Sequence, residues 1–175
     1  MPFRHGVLLA VIDGLGHGEA AAVAADIAVA SLGGHAQESV LSLMRRCHEG
    51  LKATRGVVMS LASINAPDRT VTWVGVGNVE GRLLRANAHD RPACEAVPWR
   101  GGVVGYQLPP LRTSMLPIRR GDTLVLATDG IRASFAEELS LRDPPQQIAD
   151  HILARFGKDT DDALVLVARF VGCTP

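Results

Sequence analysis

The chain has 175 residues, enough for one domain and its core, and 47% of them are hydrophobic, which excludes a disordered chain. Lys plus Arg and Asp plus Glu balance at 18 each, so general basicity does not drive nucleic-acid binding. Aromatic residues are only 4%, which leaves Ala, Val and Leu to fill the core.

Residues 7–12 form an apolar run between Gly6 and Asp13, as in a strand buried on both faces. The run is too short for a signal-peptide core or a membrane span, so a cytoplasmic chain is expected. No strand is expected before it. Residues 13–18 carry three glycines and predict a loop. Glu19–Leu32 is Ala-rich without Gly or Pro and predicts a helix, stopped by Gly33 and Gly34. Val40, Met44, Cys47 and Leu51 fall at helical spacing and predict a second, amphipathic helix.

The period then shortens. Val57–Asn65 and Thr70–Val76 predict two strands around a turn at Pro67 and Asp68. Gly77 and Asn78 interrupt, and residues 80–86 predict another strand. Residues 100–110 hold three glycines and two prolines and predict a loop. Residues 112–116 and 123–128 predict strands around the turn at Arg120, Gly121 and Asp122. Ile131, Phe135 and Leu139 suggest a short helix. Ile148, Ile152 and Phe156 suggest another, after Pro144 and Pro145. Residues 163–171 predict a closing apolar strand. Antiparallel strands flanked by helices indicate the α+β class, in a single domain spanning residues 1–175.

Three aspartates stand at the ends of apolar strands: Asp13, Asp129 and Asp161, the last followed by Asp162. Strand ends hold a carboxylate more rigidly than loops do. Hard cations such as Mg²⁺ and Mn²⁺ take oxygen ligands and few carboxylates. Each aspartate also has a plainer reading. Asp13–Gly14 and Asp129–Gly130 are common turn dipeptides, Asp129 suits a helix N-cap, and Asp161–Asp162 suits a solvated loop. Periodicity does not bring the three together.

Val11-Ile12-Asp13-Gly14-Leu15-Gly16-His17-Gly18, Leu126-Ala127-Thr128-Asp129-Gly130-Ile131 and Thr160-Asp161-Asp162-Ala163-Leu164-Val165-Leu166-Val167 resemble, in order, the metal motifs of type-2C protein phosphatases, the PPM family. The resemblance extends over nearly the whole chain. It is nearest the bacterial SpoIIE, RsbU and RsbX branch, and in small size nearest RsbX. Val74 to Asn78 resembles the family's central strand turn, and Gly101 to Gly105 its glycine loop.

The resemblance implies an αββα sandwich of two mainly antiparallel sheets flanked by helices. It implies two Mn²⁺ or Mg²⁺ ions. Asp13 would bridge both, the Gly14 carbonyl would sit on one, and Asp129 and Asp161 would complete the other shell, with Asp162 ranked below Asp161. The implied activity is hydrolysis of phosphoserine or phosphothreonine. The implied partners are phosphorylated STAS-domain proteins of stressosome or anti-anti-sigma signalling.

Family members usually carry an acidic residue on a strand before the first motif. Residues 1–6 contain none, so a weaker second metal site is expected. His17 is either a proton donor to the leaving oxygen or an exposed loop histidine. The other histidines show no ligand spacing and are expected at the surface or in packing. Arg100 and Arg112 flank the glycine loop, as solvated side chains or as phosphate contacts. Cys47, Cys94 and Cys173 form no CxxC pair and are read as reduced thiols. Two other functions remain: a phosphatase-fold binding module without catalysis, and a hydrolase of small phosphate esters.

Overall fold

In the computed structural model, which describes residues 1–87, 89–90, 92–137 and 139–172, strands gather into two sheets, each in its own unit. Cys173 lies outside the described residues.

The first unit comprises Met1–Val79 with Pro98–Pro117. Its strands are β1 (Pro2–Phe3), β2 (Gly6–Gly14), β3 (Val57–Asn65), β4 (Thr70–Val76) and two that close the far side of β4. Β-order runs β1-β2-β3-β4, antiparallel throughout. Helices α1 (Glu19–Leu32) and α2 (Val40–Leu51) pack on this sheet and on each other. Ser39 caps α2 by accepting the Ser42 N–H at 3.1 Å. The buried face of α2 is Val40, Leu43, Met44, Cys47 and Leu51. Each fully buried Leu here stabilises by roughly 1.5–3 kcal/mol. On α1 the buried residues are Ala21, Ala24, Ala28 and Leu32, and the small size of the three alanines lets the helix approach closely. Trp73 of β4 is fully buried, 1% exposed.

Several elements depart from the sequence expectation. A strand does precede residue 7: β1 pairs with β2, Pro2 opposite Val7 and Phe3 opposite Gly6. The Met1 ammonium donates to the Leu8 carbonyl at 3.0 Å. Pairing at Asp13 and Gly14 extends β2 past Ile12, so these two residues belong to the strand and not to the loop. Leu8 and Val11, which alternation sends to opposite faces of β2, are both fully buried, and the other residues of the strand are half-buried.

The far side of β4 carries two short strands. Strand β7 (Trp99–Arg100) runs parallel to its C-terminal end, and β8 (Ser114–Pro117) runs antiparallel to its N-terminal end. Trp99–Arg100 is too short to show a period, so periodicity carries no sign of it. Arg100 therefore belongs to a strand, and β8 starts two residues later than expected.

The second unit comprises Glu80–Val97 with Ile118–Pro175. Its sheet runs β10-β9-β5-β6: β10 (Val165–Arg169), β9 (Thr123–Ala127), β5 (Glu80–Leu84) and β6 (Cys94–Ala96). All its pairings are antiparallel. A 3-10 helix (Ala133–Glu137) and α3 (Pro145–Phe156) complete it, and α3 packs on β10. The core here joins Val125, Ile131, Phe135, Ile148, Ile152 and Phe156. Strands β5, β9 and β10 are shorter than the apolar runs that predicted them. The ends of those runs turn into the loops described below.

A buried ion network sits beside β5. Asp122 is 1% exposed; its Oδ2 accepts from Arg85 Nη1 at 2.8 Å and from the Arg119 N–H at 3.0 Å, and its Oδ1 from the Ala86 N–H at 2.9 Å. Glu95 binds the other arm of Arg85. Burial works against the Arg85 charge, yet its hydrogen bonds to Glu95 and Asp122 hold its pKa above the ordinary value.

Candidate metal centre

Asp13 and Gly14 end β2 against β3, opposite Val58 and Val57. The next residue, Leu15, donates its N–H to the Gly56 carbonyl at 3.1 Å. Gly14 passes so close to the first turn of α1 that a Cβ there would lie 2.2 Å from the Ala21 carbonyl oxygen. Only glycine permits that approach, and it fixes the backbone beside the Asp13 carboxylate. Asp13 and Gly14 are half-buried and His17 is exposed. His17 forms no hydrogen bond among the described residues. Arg55 was missed by sequence reasoning. Its Nη1 lies 2.9 Å from where a Cβ on Gly16 would stand, which sets a cation beside this loop. His48 is also more than packing: its Nδ1 accepts the Gly105 N–H at 2.9 Å and so ties α2 to the glycine loop.

In the second unit the structure brings Asp129 and Gly130 to Asp161 and Asp162. The β9–β10 register, Ala127 opposite Val165, continues into a reciprocal pair. Thr128 N–H donates to the Leu164 carbonyl at 3.1 Å, and Leu164 N–H donates to Thr128 Oγ1 at 2.9 Å. A Cβ on Gly130 would lie 2.2 Å from the Asp162 carbonyl oxygen. Asp162 N–H donates to Asp161 Oδ1 at 2.9 Å, which orients the Asp161 carboxylate by its own chain. Lys158 holds the turn from the other side. Its N–H reaches the Gly130 carbonyl at 2.8 Å and its Nζ the Asp129 carbonyl at 2.6 Å. Nothing in the sequence around Lys158 marked it for this position. Asp161 and Asp162 are exposed, while Asp129 is half-buried.

Among the described residues of either unit taken alone, no three His, Cys, Asp or Glu side chains form a ligand cluster. The donors at these strand ends are carboxylates and backbone carbonyls. That hard oxygen set fits Mg²⁺ or Mn²⁺ and does not suit a thiophilic metal. Burial pushes the Cys47 thiol up to about 11 and the Cys94 thiol upward as well.

Among the described residues, no helix is long and apolar enough to cross a membrane.

The family model for Stage II sporulation protein E (SpoIIE) matches residues 4–171. The chain is 28% identical over 125 residues to the phosphoserine phosphatase RsbX of Bacillus subtilis (strain 168), a match that spans 71% of this chain and 61% of the relative. Among solved structures, a chain of the bacterial stressosome, a modular system adapted to control secondary messenger signaling, superposes with a TM-score of 0.84 at 27% identity. That match covers 97% of this chain and 88% of the other. RsbX in complex with magnesium superposes with a TM-score of 0.81 at 22% identity, over 95% of this chain and 82% of that one. The α+β fold with two sheets and helices is therefore that of the type-2C phosphatase structures.

Proposed function

The chain belongs to the SpoIIE family, and from that membership we propose that it is a metal-dependent phosphatase of phosphoserine or phosphothreonine in proteins. The observation that carries this reading is the built turn at Asp129 and Gly130, locked to Asp161 and Asp162 by the Thr128–Leu164 pair and by Lys158.

Asp13, Asp129 and Asp161 would hold the divalent cations, with the Gly14 carbonyl as a further donor and Asp162 as a lesser one. Bound Mg²⁺ or Mn²⁺ supplies a nucleophilic water at neutral pH and neutralises charge on the phosphoryl oxygens. The protein's part is placement. Strand pairing fixes Asp13, and the Asp162 amide orients Asp161. Lys158 fixes the Asp129 backbone. Exposed His17, in the loop after Asp13, would pass a proton to the leaving serine oxygen.

The similarity to RsbX and to a stressosome chain supports phosphorylated STAS-domain proteins as substrates, in stress signalling and in the cytoplasm. Residues 1–175 would act as one catalytic domain. A second reading, a binding module without catalysis, draws on one observation: no acidic residue precedes Asp13 on β1 or β2. The deciding experiment incubates the protein with a phosphorylated STAS-domain protein, with Mn²⁺ or Mg²⁺ and then with excess chelator. Phosphate release that needs the metal is expected. Full release in chelator overturns the metal mechanism, and none with either metal favours the binding module.

A further inference from the structure

Between β7 and β8 the first unit carries an open groove of about 530 Å³. Pro98, Trp99 and Pro109 give it apolar walls, Ser114 a hydroxyl, and Arg100 and Arg112 its charge. Trp99 is 49% exposed, although tryptophan is among the most costly side chains to leave in water. Both arginines are exposed. Neither guanidinium group has a hydrogen bond or ion pair among the described residues, and no carboxylate lines the groove among them. The chain as a whole is neutral, so this cationic groove is a local feature.

Its position in the sheet is informative. Asp13 pairs with Val58, and the Met59–Val76 pairing sets Gly77 opposite Val58. Gly77 N–H donates to the Arg100 carbonyl at 2.8 Å. The parallel register sets Arg100 opposite Val76, in the row of Met59 and Ile12, and Trp99 opposite Gly75, in the row of Ser60 and Val11, on the face of the sheet that Asp13 shares. Three strand spacings of ~4.8 Å put β7 about 14 Å from β2 at this end of the sheet. An extended peptide covers that span in about four residues.

We propose that this groove docks an acidic segment of the phosphoprotein substrate, with Arg100 and Arg112 pairing its carboxylates and Trp99 packing against its backbone. The inference rests on the phosphatase reading for the word substrate, and on the groove alone for the acidic ligand. Charge complementarity selects the occupant: two unpaired guanidinium groups beside an exposed indole match carboxylates on an extended chain. With the phosphoresidue at Asp13, the acidic residues would lie about four positions from it.

The test compares two phosphoserine peptides, one with glutamates about four residues from the phosphoserine and one with glutamines there. The wild-type protein should turn over the acidic peptide with a KM lower by about ten-fold, the yield of two partly exposed ion pairs. The Arg100→Gln/Arg112→Gln variant should lose that preference while kcat for the acidic peptide changes little. Calorimetry with the unphosphorylated acidic peptide reads the groove without catalysis. Binding that weakens with added salt and disappears in the variant supports the proposal even if no phosphatase activity is found. Equal KM for both peptides in the wild-type protein overturns it, as does equal binding by the variant. Sedimentation showing a wild-type dimer that the variant loses would assign the groove to a second copy of the chain and overturn it too. Circular dichroism of the variant should match the wild type, because both side chains are exposed; a second variant, Trp99→Ser, should weaken the same peptide binding without touching a charge.

Discussion

A methyl group placed on Gly130 would stand 2.2 Å from the carbonyl oxygen of Asp162. The two segments that carry Asp129 and Asp161 are in backbone contact only because residue 130 has no side chain. Gly130→Ala must therefore push them apart. Overpacking of this kind costs about 1–3 kcal/mol, to be read as a lower urea midpoint. Binding of Mn²⁺ should fall by more than that stability loss explains. A variant that binds Mn²⁺ normally would show that the contact does not set the carboxylates.

Asp129→Asn keeps the shape and removes a charge. Turnover of a phosphoserine peptide should drop at least ~100-fold with the fold intact by circular dichroism, because metal activation of water supplies several kcal/mol. Near-normal turnover would remove Asp129 from the centre.

The absence of an acid on β1 and on β2 before Asp13 bears on metal stoichiometry. Each missing carboxylate removes attraction and leaves water in the shell. Calorimetric titration with Mn²⁺ should resolve one tighter and one weaker site, and activity should rise over the weaker range. Two equally tight sites would mean that another carboxylate, such as Asp162 or Glu19, has taken the missing role.

Much of this was legible in the sequence, for reasons particular to each element. Helix α2 announced itself through Val40, Met44, Cys47 and Leu51, whose spacing is fixed by their shared buried face. The turn at Pro67 and Asp68 gave the β3–β4 hairpin. The short strands β1, β6 and β7 were not legible. Two or three residues show no period, and what makes them strands is a neighbour's free edge. The candidate metal residues were named by motif order. Their physical support was hidden, since Lys158 reaches Asp129 across 29 positions and Thr128 reaches Leu164 across 36. Asp122 read as an ordinary turn residue, because burial of a charge depends on partners such as Arg85 that lie 37 positions away.

That network makes a stability prediction. Asp122→Ala leaves the Arg85 guanidinium, 8% exposed, and two backbone N–H groups short of their acceptor. Breaking a buried pair from one side costs about 3–5 kcal/mol. Urea unfolding should show a loss of that order, and Asp122→Asn a smaller one. A change under about 0.5 kcal/mol would mean that water replaces the carboxylate freely.

Cys47 is fully buried, with Sγ 3.8 Å from the Ala28 carbonyl oxygen. Burial pushes its pKa from 9.0 to about 11. In a chain carrying Cys94→Ser and Cys173→Ser, it should resist thiol reagents at about pH 8 until urea unfolds the chain. The linkage has a definite sign. The folded state keeps the thiol protonated, so this stability is complete below pH 9 and is lost as pH rises toward 11. The urea midpoint should fall between about pH 9 and pH 11 more steeply than in a Cys47→Ala variant. Parallel profiles would show that Cys47 does not titrate in that window.

The chain has two tryptophans, Trp73 and Trp99, and both lie in the first unit. Trp73 is sealed in β4 and Trp99 stands half in solvent on β7. Intrinsic fluorescence of this protein is thus a pair of reporters with separate colours: a blue-shifted indole that registers melting of the β2–β3–β4 sheet, and a red-shifted one quenchable by iodide. The unit that carries Asp129 and Asp161 has no indole of its own, so its unfolding has to be followed by backbone or methyl signals.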